Sequence, residues 1–150
     1  MTISEKINEG IKAAMKAREK DRLEALRNIK KVMIEARTAK SAGAELTDEE
    51  SVKIISKLAK QGLDSAAIYK QQGREDLYIQ EMNQLAVYKE YLPEKFTDTE
   101  LTAAITEIIK QCGATSLKDL GKVMGIASKE LAGKADGKDI LEKTKSLLGQ

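Results

Sequence analysis

Apolar positions recur at intervals of three and four along almost the whole chain, the period of an α-helix with one buried face. Ile3, Ile7, Ile11, Ala14 and Met15 form the first such stripe, with Thr2 or Ser4 ahead of it as a cap. A second begins near Asp21 and runs through Leu23, Leu26, Ile29, Met33 and Ala36. The stretch TAKSAGAEL breaks the pattern. Thr47 followed by Glu50 is a capping box, so a third helix is expected to start there. Val52, Ile55, Leu58, Ala59, Leu63 and Ala66 are its predicted core face, and it is expected to end near Gly73. Leu77, Met82, Leu85, Ala86 and Leu92 continue on a fourth helix.

Pro93 cannot continue a helix, and it pushes the residue before it toward extended geometry. Thr97 with Glu100 is another capping box just beyond it, which makes this segment the expected boundary between residues 1–95 and 96–150. Leu101, Ala104, Ile105, Ile108 and Ile109 then form a stripe that Gly113 is placed to close. Ser116 is the expected cap for a helix carrying Leu117, Leu120, Val123, Met124 and Ala127. Asp136 is the expected cap for a last helix with Ile140, Leu141, Leu147 and Leu148. No segment alternates as a strand. The reading is an all-α protein, with a helical N-terminal domain followed by a small three-helix domain.

Composition narrows the chemistry. Of 150 residues, 41% are hydrophobic, but only Phe96 and four tyrosines are aromatic, so the core is aliphatic. Tyr78, Tyr88 and Tyr91 are expected at half-buried core edges rather than as platforms for stacked bases. Histidine is absent, which removes the usual general base near neutral pH. Cys112 is the only cysteine, has no histidine partner, and is expected to be structural. No catalytic residue, metal site or cofactor is expected. The opening MTISEKINEG has no signal-peptide apolar region and no run is long enough to span a membrane. A cytoplasmic protein is the expectation.

Net charge is only +2, so anion binding requires local clustering. One cluster is GKVMGIASKELAGKADGKDI, residues 121–140, with Lys122, Lys129, Lys134 and Lys138 among four glycines. It fits neither a P-loop nor a calcium loop. Gly121 and Gly125, four apart, would let another backbone come close, and Gly133 and Gly137 bracket a helix–helix turn. Lys134 and Lys138 beside the first N–H groups of the last helix would suit a phosphate. The alternative is glycines that only shape the bundle and lysines that are only solvated. The second cluster spans residues 12–40, where ten basic residues stand against four acidic ones, an excess of six. Arg27, Lys30 and Lys31 project to one side of the second helix, away from Ile29 and Met33. Such a face can follow a nucleic-acid backbone, or it can simply be solvated.

DLGKVMG at 119–125 followed by GKADG at 133–137 resembles the motif of the GatB/YqeY family. EALRNIKK, KQGLDSAAIYKQQGREDL and YLPEKFTDTEL resemble the N-terminal part of its stand-alone YqeY-like members. The resemblance implies a helical N-terminal region and a three-helix domain similar to the tail of the B subunit of glutamine-dependent tRNA amidotransferases. It implies tRNA, or an aminoacyl-tRNA-processing enzyme, as partner. It also carries a label of carbon–nitrogen ligase activity with glutamine as amido donor, which rests on the shared tail. Relatives often have a methionine–proline step where this chain has IASKEL, and an arginine where it has Gly62. The reading is a non-catalytic tRNA-binding module. The alternatives are a protein that docks on a tRNA-charging or amidotransferase enzyme, and a ligase. Low aromatic content favours recognition of shape and backbone over stacking on single strands.

Overall fold

The structure, a computed structural model, describes residues 1–149. Among these, seven α-helices and one 3₁₀ turn account for all regular secondary structure. The chain divides into two compact units, Met1–Leu92 and Pro93–Gln150.

The first unit contains α1 (Ile3–Ala17), α2 (Lys20–Thr38), α3 (Asp48–Gln71) and α4 (Glu75–Glu90). Two of these helices start at capping boxes. The Thr47 hydroxyl accepts from the Glu50 N–H while the Glu50 carboxylate accepts from the Thr47 N–H. Thr2 and Glu5 repeat the arrangement at α1, where only a cap was expected. The core joins Ile7 and Ala14 of α1, Ala25, Leu26, Ile29 and Met33 of α2, Ile55 of α3, and Val87 and Tyr88 of α4.

Several predicted stripes are rotated or trimmed. Met15 and Leu63 are 53% and 54% exposed, and Ala86 is exposed, whereas Gly62 is buried. A Cβ on Gly62 would lie 3.5 Å from a Glu81 oxygen and 3.9 Å from the Tyr88 ring, so α3 turns its small residue toward α4 and its leucine outward. Tyr88 is 3% exposed rather than half-buried. Its hydroxyl accepts from the Asn28 amide at 3.3 Å, and burial pushes its pKa up.

The second unit contains α5 (Asp98–Cys112), a 3₁₀ turn (Leu117–Asp119), α6 (Leu120–Glu130) and α7 (Gly137–Leu148). The Thr97–Glu100 box opens α5 as expected, and Gly113 closes it in the left-handed conformation, φ 68°. Ser116 caps the 3₁₀ turn rather than an α-helix, and α6 begins only at Leu120. Its core is Leu101, Ile105 and Ile108 against Val123, Ala127, Leu131, Ile140 and Leu148, with Cys112 packed at the edge. Thr144 is fully buried, and its hydroxyl is satisfied by donating to the Ile140 carbonyl at 2.7 Å. Among the described residues, no helix is long and apolar enough to cross a membrane.

Candidate nucleic-acid interface

The glycine–lysine stretch builds α6, the loop after it and the start of α7. DLGKVMG begins with two side chains that hold the preceding loop. The Asp119 carboxylate accepts from the Thr115 N–H at 3.0 Å, and that bond holds its pKa below the ordinary carboxylate value. The Lys122 ammonium donates to the Cys112 carbonyl at 3.1 Å, at the end of α5. Lys122 therefore serves a helix C-terminus, where a cation is favoured.

Gly133 has φ 78°, the left-handed geometry that glycine adopts without a Cβ penalty. The close approach expected at Gly121 and Gly125 does not occur. Among the described residues, a Cβ at either position, or at Gly137, would meet no heavy atom within 4 Å beyond its own turn of helix. Gly121 and Gly125 lie on the exposed side of α6, while Val123 and Ala127 face the core. The glycine that does permit close packing is Gly10 on α1. A Cβ there would sit 2.7 Å from the Tyr91 hydroxyl and 3.2 Å from a Leu26 methyl. No neighbouring glycine or turn residue marks Gly10 in the sequence, so only the crossing of distant segments reveals it.

The expected phosphate position at the start of α7 is crowded with other partners. The Lys134 ammonium lies over the Phe96 ring, 5.3 Å from its centre, and the Lys134 carbonyl accepts from the Phe96 N–H at 2.7 Å. Asp136 occupies the N-cap position, but its side chain makes no capping hydrogen bond. Its carboxylate accepts instead from Lys95 at 3.4 Å. Lys143 pairs with Asp98 at 2.7 Å. An open groove of about 440 Å³ runs along this side, and its lining includes Asp98, Asp136, Asp139 and Glu142 against Lys95, Lys134 and Lys143. Four carboxylates against three lysines is a poor setting for a phosphate. Lys138, in the first turn of α7, and Lys129, in the last turn of α6, are exposed.

The outer face of α2 is different. Arg27, Lys30 and Lys31 are all exposed, and among the described residues none forms an ion pair. Three other cations of the 12–40 cluster are engaged. Arg22 pairs with Glu90 at 2.7 Å, Arg37 with Glu45 at 2.6 Å, and Lys40 with Glu50 at 2.8 Å. Leu26, Ile29 and Met33 anchor the opposite side of the helix in the core, so Arg27, Lys30 and Lys31 lie on its outward side. The structure thus brings Arg27, Lys30 and Lys31 onto one surface. It commits Lys122 to the Cys112 carbonyl and Lys134 to the Phe96 ring, and leaves Lys129 and Lys138 exposed.

A two-unit, all-helical protein with a cationic helix face and a glycine–lysine tail motif is the class that these features define. The family model for YqeY-like proteins matches residues 4–148. The chain belongs to the YqeY-like family. Among curated proteins, none matches it.

Proposed function

We propose that this protein binds the phosphate backbone of folded RNA, tRNA in particular, with the outer face of α2 as the main contact. The observation that carries the reading is the set Arg27, Lys30 and Lys31: three exposed cations without carboxylate partners, within a segment that has six excess positive charges. Phosphates replace water around such groups and release counterions, which is the main source of nucleic-acid affinity. The face carries no aromatic side chain, so it follows a backbone rather than stacking bases. The choice of tRNA comes from the resemblance of the second unit to the amidotransferase tail, and an aminoacyl-tRNA-processing enzyme is the partner class that such a module would serve. Lys129 and Lys138 are secondary contacts in this reading.

The test is a filter-binding titration of the full chain with total tRNA at several salt concentrations. Replacing Arg27, Lys30 and Lys31 by glutamate is expected to weaken binding more than tenfold and to lower the salt slope by about two to three units. Lys134→Glu with Lys138→Glu is expected to have the smaller effect. No binding by the wild-type chain at low salt would end the RNA reading. A larger loss in the C-terminal pair than in the α2 variant would return the site to the start of α7.

A further inference from the structure

Among the described residues five have positive φ: Gly43, Gly73, Gly113, Gly133 and Arg18. Four are glycines, to which the left-handed region is open without steric penalty. Arg18 is the exception, at φ 56° and ψ 38°. It closes α1 with its N–H directed to the Ala14 and Met15 carbonyls, and the Glu19 N–H donates to the Ala14 carbonyl at 3.0 Å. This is a left-handed helix stop, and every hydrogen bond in it is made by the backbone. Glycine would make the same bonds without the Cβ strain that Arg18 carries.

The Arg18 side chain makes no polar contact within the fold that would offset this strain. It is exposed, and among the described residues it takes part in no ion pair or side-chain hydrogen bond. A strained residue whose side chain the fold does not use points to a use outside the fold. Its position says which. Arg18 stands two residues before Lys20, the first residue of α2. Lys20, Arg27 and Lys31 follow at spacings of seven and four on one helical face, with Glu24 between the first two. That face is about 17 Å long from Lys20 to Lys31 at the helical rise per residue.

We infer that Arg18 is the terminal contact of the RNA surface on α2, its guanidinium gripping a backbone phosphate at the α1–α2 turn. The inference rests on the RNA reading above and adds an anchor to it. A guanidinium can take a phosphate through two parallel N–H donors, so it fixes position as well as adding charge. A guanidinium fixed to a phosphate at this turn would set where along the phosphate chain the α2 cations lie.

The experiment compares Arg18→Gly and Arg18→Lys with the wild-type full chain, by thermal melting and by titration with total tRNA across salt. Arg18→Gly is expected to raise the melting temperature by about 2–4 °C, since it removes the left-handed strain. The same variant is expected to bind tRNA about three- to tenfold more weakly at low salt, with a salt slope lower by about one unit. Arg18→Lys is expected to keep the wild-type slope and melting temperature. Opposite movement of stability and binding in Arg18→Gly is the signature of a side chain kept for its ligand. A lower melting temperature in Arg18→Gly would show that the side chain serves the fold and would overturn the inference. Unchanged tRNA binding by Arg18→Gly, with the wild type binding, would overturn the inference alone. No binding by the wild type would overturn it together with the RNA reading.

Discussion

The two units are made of the same materials and use them differently. The second has nine lysines and nine carboxylates between residues 93 and 150, so the net charge of the chain resides in the first. In the second unit lysines stitch the fold: Lys95 to Asp136, Lys143 to Asp98, Lys134 to Phe96 and Lys122 to the Cys112 carbonyl. In the first unit ion pairs hold the ends of α2, through Arg22 and Arg37, and leave the middle of its outer face open. A count of lysines therefore says little about a binding surface. What matters is whether a carboxylate, carbonyl or ring already lies within reach.

The units also differ in how much core they own, and a core substitution is the strongest way to expose that. The second spans about 58 residues, near the lower limit for a domain that folds on its own core. Ile105 is fully buried in it, and Ile105→Ala is expected to cost about 2–5 kcal/mol. Circular dichroism should then show the helices α5–α7 melting at or below room temperature, with the first unit still folded. Ile29→Ala, at a fully buried site of the first unit, is expected to lower its melting temperature without abolishing the fold. Loss of both units together in Ile105→Ala would mean that they are not separate folding units.

Glycines sharpen the contrast at the next level. Gly10→Ala places a methyl group 2.7 Å from the Tyr91 hydroxyl and is expected to destabilise the first unit by about 1–3 kcal/mol in chemical denaturation. Gly133→Val forces a β-branched residue to φ 78° and is expected to cost the second unit about 1–2 kcal/mol. Gly121→Ala and Gly125→Ala go the other way. Both residues are helical with free space around them, so each substitution is expected to stabilise the second unit by up to about 1 kcal/mol. Destabilisation by either would show that these glycines are needed within the fold.

The smallest expected effects are those of pH. The Lys40 ammonium, and then the Thr47 N–H, hold the Glu50 carboxyl below its ordinary value of 4.5. A lowered folded pKa gives stability that is present above the ordinary value and lost as pH falls through the folded one. Burial, and then Glu24, push Glu81 the other way, so its charged form opposes folding as pH rises through its folded pKa. Glu50→Gln should flatten the acid side of the stability profile, and Glu81→Gln should slightly raise stability at pH 7. Denaturation at a series of pH values checks both signs.

Much of the architecture was open to reading before any coordinates. The Thr47–Glu50 and Thr97–Glu100 boxes, the stop at Gly113 and the apolar stripes of α2 and α5 depend on residues within one turn of each other, and local sequence encodes such relations. The same holds for the outward direction of Arg27, Lys30 and Lys31, which follows from Ile29 and Met33 pointing inward. Tertiary packing decided the rest. It turned Gly62 inward and Leu63 outward on α3, made Gly10 rather than Gly121 the point of close approach, and set Lys134 on Phe96. It also took the Asp136 carboxylate from its cap position to Lys95, and placed Arg18 in a left-handed turn that no neighbouring glycine announces. The turn at Arg18 is closed by backbone bonds alone, which no side chain records; the others depend on which atoms from distant segments come within about 4 Å of each other, and the spacing of residues along a chain does not record that distance.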